Sequence, residues 1–419
     1  VDGAYDEKFE AEDIVPVTSA GGAYFLELYH GKTAAFKDMA LSILPYLLTT
    51  AMKKEKEDKK IAILTATSGD TGKAALEGFA DVEGTEIIVF FPSDGVSEVQ
   101  KRQMTTQEGK NTHVFAIHGN FDDAQTGVKK IFNDDEFSAM LKENGIKLSS
   151  ANSINIGRLV PQVAYYVYAY IRLLEQGAVK EGEKINIVVP TGNFGNILAA
   201  YYAKNMGIPV NRFICASNKN KVLTDFINTG VYDTNREFYC TNSPSMDILI
   251  SSNLERLLYH LSGGDGAAIS KLMEDLENEK RYQVSGAVKE KMSDFFGGFA
   301  DEEETKKAIA EMYEKYGYLI DTHTAVAYKV YEDYRNATGD ETPTVIASTA
   351  SAYKFAVSVA EALNMPKEPD GFAYVRALCE KTKVKIPSGL KDLDKKEIRH
   401  DSVIDRTALA KAVKDSLGL

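Results

Sequence analysis

Three features of the sequence predict an α/β fold in two units, each with a mainly parallel twisted sheet covered by helices. From Lys60 onward, short apolar, β-branched runs alternate with helical patterns, the signature of βα units. The runs are nearly continuous in apolar character, as strands of a sheet covered on both faces must be. Three Gly- and Thr-rich segments stand where an extended run gives way to a helical one, the place where α/β folds hold ligands. A chain of 419 residues is long enough to bury two cores.

The first element along the chain is a helix expected from Thr33 through Met52, running out in the mixed-charge stretch Lys53–Lys60, a solvated helix end or linker. Strands are expected at Ile61–Thr65, Glu86–Phe91, Thr112–Ile117, Ile185–Val189, Phe213–Ala216 and Thr344–Ala347. The segment Pro161–Leu174 carries Tyr165, Tyr166, Tyr168 and Tyr170, which would suit a stacking platform. With Val163, Val167 and Leu173 at helical spacing, they read instead as a packed helix face. These landmarks divide the chain into a small α/β unit, 59–164, and a large unit made of 1–58 and 165–419. Within the large unit, 253–320 is acidic, helix-rich and without convincing strands, a helical insertion. Asp301-Glu302-Glu303-Glu304 supplies the negative first turn of a helix that should stop at Gly317.

Charge and composition narrow the function. With 49 basic and 61 acidic residues the net charge is −12, which argues against holding nucleic acid or an anionic membrane, so an anionic ligand must be caught locally. No apolar run is long enough to span a bilayer. Cys215, Cys240 and Cys379 are scattered, with neither a disulfide framework nor a zinc spacing, and a reducing cytoplasm is the expected setting. His113 and His118 are separated by an odd number along one extended run, on opposite faces, so they do not share a metal ion.

The three turn segments carry the chemistry. Pro190-Thr191-Gly192-Asn193-Phe194-Gly195-Asn196 joins a strand to a helix, offering backbone N–H groups and a positive helix end to a phosphate. A plain tight βα turn would use the same residues. Thr65-Ala66-Thr67-Ser68-Gly69-Asp70-Thr71-Gly72-Lys73 ends like a nucleotide P-loop, but Ala74 stands where that loop needs Ser or Thr. It remains a hydroxyl-rich turn suited to an oxyanion or carboxylate. In His30-Gly31-Lys32-Thr33-Ala34-Ala35-Phe36-Lys37-Asp38, a lysine falls at a helix start among apolar neighbours, which lowers an amine's pKa as a Schiff-base lysine requires.

In these residues the chain resembles the threonine synthases. HGKTAAFKD resembles their lysine motif HGPT-x-AFKD, TSGDTG their second motif, PTGNFGN their phosphate loop, and Ile346–Phe355 (IASTASAYKF) their C-terminal motif. Asn152-Ser153-Ile154-Asn155-Ile156-Gly157-Arg158 and Asp321-Thr322-His323-Thr324-Ala325-Val326 resemble further family segments. The resemblance implies the fold type II of pyridoxal phosphate (PLP) enzymes, related to the tryptophan synthase β chain. The insertion matches the longer bacterial and fungal type, whose N-terminal segment is missing. Val1 is not a natural start, and removal of something upstream is expected.

The resemblance also implies roles. Lys37 would hold PLP as a Schiff base and later shuttle protons. Gly192, Asn193, Phe194, Gly195 and Asn196 would cradle the cofactor phosphate, Thr349 would face its pyridine nitrogen, and either Ser68 or Asp70 would touch its ring oxygen. Thr67, Thr71, Asn152, Ser153 and Arg158 would hold the phosphate and carboxylate of the substrate. Lys32 replaces the motif's proline, either adding positive potential or pointing to water. The activity so implied converts O-phosphohomoserine and water into L-threonine and phosphate, without a metal. The alternatives are another fold-type-II PLP lyase, such as a phospholyase or threonine dehydratase, and a non-catalytic PLP-binding homologue. Arg158 and the hydroxyl set favour a phosphorylated substrate, and the intact Lys37 and GNFGN loop argue against a silent homologue.

Overall fold

The computed structural model describes residues 1–94 and 96–419. The larger sheet has the order β1 (Val17–Ala20), β2 (Ala23–Glu27), β12 (Thr344–Ser348), β7 (Ile185–Pro190), β8 (Val210–Ser217) and β11 (Phe295–Phe299). Only the β1–β2 hairpin is antiparallel. The smaller sheet is wholly parallel, in the order β13 (Val403–Asp405), β5 (Thr112–His118), β4 (Thr85–Pro92), β3 (Lys60–Ala66) and β6 (Ile146–Ser150). A short antiparallel pair, β9 (Val231–Asp233) with β10 (Arg281–Gln283), lies apart from both.

Both sheets are covered on two faces, which explains the apolar runs. Along β7, Ile187 and Val189 enter one core with Phe213 and Val345, while Val188 enters the opposite core with Ile214 and Ile346. In the smaller sheet Ile61, Ile63, Ile87 and Val89 face one core, and Ala62, Leu64, Ile88 and Phe90 the other. Each fully buried Val, Leu, Ile or Phe of this kind contributes about 1.5–3 kcal/mol. The carboxyl ends of β3, β6, β7 and β12 each lead into one of the polar segments singled out in the sequence.

Four expectations need correction. The first helix spans Lys37–Glu55 rather than starting at Thr33, because Asp38 ties the preceding loop: it accepts from the Thr33 N–H at 2.8 Å and from Thr33 Oγ1 at 2.5 Å. The region 253–320 is not purely helical, since it supplies β10 and the edge strand β11. The sequence Phe295-Phe296-Gly297-Gly298-Phe299 hides that strand because its glycines weaken strand propensity. A Cβ on Gly297 would lie 2.9 Å from the Cα of Thr224, so the helix Val222–Thr229 packs too closely for any side chain there. Short β1, β2 and β6 also escape the pattern of continuous apolar runs. Finally, β13 and the helix Leu409–Leu417 pack on the smaller sheet, with Leu409 and Val413 in its core, although they lie far beyond 164.

The tyrosine segment forms the helix Val163–Glu175 with Tyr165, Tyr166 and Tyr170 buried, and the helix Glu302–Tyr316 stops at Gly317. Among the described residues no helix is long and apolar enough to cross a membrane.

Candidate active site

Lys37 opens its helix and is buried. Its Nζ lies 3.4 Å from Oδ2 of Asp70, 3.4 Å from Oγ of Ser245 and 5.0 Å from the centre of the Phe36 ring. Burial lowers the proton affinity of this amine, Asp70 opposes that, and the charges of Arg158 and Lys354 reinforce it. The main chain before Lys37 is fixed by the C-terminal motif: the Phe36 N–H donates to Thr349 O, the Ser351 N–H donates to Ala34 O, and Ala35 bridges Ala350.

Asp70 begins the helix Asp70–Phe79 at the end of β3. Its Oδ1 accepts from Nε2 of Gln100 at 2.7 Å and lies 2.8 Å from Nζ of Lys354. Burial would raise the pKa of this carboxyl, yet the Lys354 and Lys37 charges more than offset it and hold it well below the usual carboxylate range. Thr67 turns its hydroxyl inward, where the oxygen accepts from the N–H groups of Gly69 and Gly72, both at 2.9 Å. Ser68 and Thr71 are half-buried, and their hydroxyls have no hydrogen-bond partner among the described residues.

The segment after β7 enters the helix Gly195–Asn205 through Phe194, whose φ is 62° and which gives no side-chain cap. The first-turn N–H groups of that helix are thus left for a ligand. Asn196 accepts from the Tyr166 hydroxyl through Oδ1, while its Nδ2 is buried without a partner among the described residues. A Cβ on Gly192 would stand 2.6 Å from the main-chain oxygen of Ser245, so the 244–246 turn sits directly on this loop. Asn193 is exposed, and Phe194 packs into the core.

Arg158 is 3% exposed. One Nη donates to Ala151 O at 2.9 Å, Nε has no partner, and no carboxylate pairs with the guanidinium among the described residues. Burial pushes its pKa down to about 10. Asn152 donates its amide to Ala66 O at 2.8 Å, joining the ends of β6 and β3. Ser153 Oγ meets Ser252 Oγ at 3.0 Å. Thr349 is buried beside Phe36, its hydroxyl without a hydrogen bond among the described residues.

The predicted residues therefore converge around Lys37, with Thr67 and Asn152 using their polar groups on neighbouring backbone. Sequence reading missed the connectors. Ser245 touches both Lys37 and Gly192. Asn253, fully buried, donates to Asn193 O at 2.9 Å and to Ser153 O at 3.1 Å, joining the two ligand loops. His323 accepts the Ser245 N–H through Nε2 at 3.1 Å, and Asp321 fixes its Nδ1 at 2.7 Å. Lys354 holds Asp70. Asp321, His323 and Lys354 lie in segments that resemble the family's without having been given a role, and a lysine between Tyr353 and Phe355 carries a further signal, because a buried ammonium requires an anion.

A family model for pyridoxal-phosphate-dependent enzymes matches residues 17–350, and one for the threonine synthase C-terminal region matches 324–415. Threonine synthase of Pseudomonas aeruginosa is 40% identical over 356 residues, covering 84% of this chain and 73% of that protein. The chain belongs to the threonine synthase family. Human threonine synthase-like 1 is 44% identical over 374 residues, 87% of this chain and 50% of that protein. The chain thus spans about half the length of the threonine synthase-like 1 relatives it matches. PLP-bound threonine synthase from Brucella melitensis has the same fold, with a TM-score of 0.85 at 36% identity, covering 99% of this chain and 82% of that one.

Threonine synthases have the fold type II of PLP enzymes, and the residues here fit the cofactor PLP. The uncapped helix start and the unpartnered amide of Asn196 suit a phosphate, and the buried Lys37 amine suits an aldehyde.

Proposed function

We propose that the chain converts O-phosphohomoserine and water into L-threonine and phosphate, with Lys37 carrying PLP. One observation carries the reading: a buried amine of lowered proton affinity shares its surroundings with a buried arginine that no carboxylate among the described residues neutralises. A substrate with both an amino group and a phosphate answers both. When bound, PLP supplies the electron sink that acidifies the substrate's Cα and Cβ hydrogens.

The chain's own residues do the rest. Lys37, whose proton affinity burial lowers, takes the proton from Cα and then one from Cβ as phosphate leaves Cγ, and returns protons to Cγ and Cα around the addition of water at Cβ, whose own second proton leaves with the phosphate. Arg158, with Ser153 and Thr71, holds the substrate's phosphate and carboxylate, while Thr67 and Asn152 brace those loops. Gly192 to Asn196 cradle the cofactor phosphate, and Thr349 offers a neutral hydroxyl to the pyridine nitrogen. Between Ser68 and Asp70 we assign the ring-oxygen contact to Ser68. The carboxylate of Asp70 is engaged by Lys354, Gln100 and Lys37 and would repel a phenolate, whereas the Ser68 hydroxyl is open to donate. In this reading the site lies between a unit on the smaller sheet, completed by β13 and the helix Leu409–Leu417, and a unit on the larger one.

Incubation with O-phosphohomoserine tests the proposal. Equal amounts of threonine and phosphate support it. Phosphate with a 2-oxo acid in place of threonine would identify a phospholyase, and no phosphate release would exclude both.

A further inference from the structure

Lys354 is 1% exposed, in the single helical turn Ala352–Phe355. Its Nζ donates to Thr33 O at 2.8 Å and lies 2.8 Å from Oδ1 of Asp70. Lys37 reaches the other oxygen of the same carboxylate at 3.4 Å. Two ammonium groups from distant parts of the chain thus share one buried anion, and the proposed reaction uses only one of them. The other groups facing this centre are Gln100 on Asp70, Arg158 and Ser245 towards Lys37, and Asp38, whose carboxyl feels the Lys354 charge from the far side and Glu77 beyond it.

A buried carboxylate left without a cation is costly. If Lys37 alone balanced Asp70, the charge of Asp70 would hold Lys37 as an ammonium, and Asp70 would be stranded whenever Lys37 became neutral or was tied into a covalent bond. We propose that Lys354 is a positioning residue: its ammonium keeps Asp70 charged and turned towards Lys37 whatever the state of the Lys37 nitrogen, and so leaves the Lys37 amine free to react. The inference rests on reading Lys37 as the PLP-carrying lysine.

The test follows the Lys37 amine directly. In the full chain freed of cofactor, the pH dependence of Lys37 labelling by fluorodinitrobenzene, read by peptide mapping, gives the midpoint at which the amine loses its proton. Lys354→Met should raise that midpoint by about one pH unit or more, so that labelling at fixed pH falls roughly tenfold. Lys354→Met with Asp70→Asn should bring it back to or below the wild-type value. An unmoved midpoint in Lys354→Met, or a shift that survives in the double variant, overturns the proposal. If Lys354→Met does not fold, Lys354→Gln, which removes the charge but keeps a donor for Thr33 O, carries the same test: its midpoint should rise, and an unmoved midpoint or loss of fold there also overturns the proposal. Borohydride capture of PLP on Lys37 is read separately. Capture on another lysine would remove the functional reading while leaving the amine measurement valid.

Discussion

The N–H of Phe36 donates to the main-chain oxygen of Thr349 at 2.8 Å, so the residue preceding Lys37 is anchored to the exit of β12. The lysine is therefore placed by the larger sheet rather than by its own loop. Lys37→Ala should keep the far-UV circular dichroism of the wild type, lose the yellow absorbance of bound PLP, and lower the rate by about 10²–10⁴-fold. In the unaltered chain borohydride should fix the cofactor on the peptide containing Lys37.

Arg158 is a buried cation whose one hydrogen bond among the described residues is to a carbonyl. A purely structural role predicts that removing it weakens the fold. A phosphate-binding role predicts the opposite split, since replacing an unpaired buried charge by an apolar side chain is often neutral or stabilising. Arg158→Met should leave the melting temperature unchanged or raised. It should cost about 2–4 kcal/mol in kcat/KM for O-phosphohomoserine, a loss of roughly 30- to 1000-fold. Unchanged kcat/KM would move the phosphate site elsewhere.

Two glycines of one loop separate steric need from mere sequence likeness. On Gly192 a Cβ meets the Ser245 backbone at 2.6 Å, whereas on Gly195 it meets only Asn253 Nδ2 at 3.6 Å, an ordinary contact. Gly192→Ala must push the 244–246 turn off the loop and should weaken PLP binding about tenfold or more, ~1.4 kcal/mol. Gly195→Ala should have the smaller effect. Fluorescence titration of PLP into each variant measures the difference, and equal effects would count against the packing argument.

Glu77 is sandwiched between Lys73 at 2.9 Å and Lys32 at 3.1 Å. Burial works against ionisation, but Lys73 and then Lys32 hold the Glu77 carboxyl down at about 2 from an ordinary 4.5. A depressed carboxyl stabilises the fold above its unfolded pKa and ceases to do so as pH falls through its folded one. Glu77→Gln should therefore lower unfolding free energy at pH 7 by about 1–3 kcal/mol. The gap from wild type should close between pH 4.5 and about 2. Urea titrations across that range give the answer, and a gap independent of pH would assign the effect to packing.

The legible parts of the molecule were those with a local physical signature. Ile61–Thr65 and Ile185–Val189 could be read as strands because a sheet covered on both faces leaves every position apolar. Lys37 and the 190–196 turn could be read as ligand groups because each sits at a helix start. What stayed hidden depends on contacts distant in sequence. Ser245 and Asn253 are small polar residues whose partners lie in other loops, and no periodicity marks them. β11 was missed because Gly297 answers to the backbone of Thr224 and Gly298 to the side chain of Val330, neighbours that appear only on folding.

The pairing of β13 with β5 has a consequence for how the molecule is made. Synthesis delivers β3, β4, β5 and β6 long before Val403–Asp405, so the outer edge of β5 waits with open N–H and C=O groups while most of the chain is translated. Such an edge is a template for pairing with other chains. The arriving strand and the helix Leu409–Leu417 act as a late clasp that closes this margin only when the last residues of the sheet are in place.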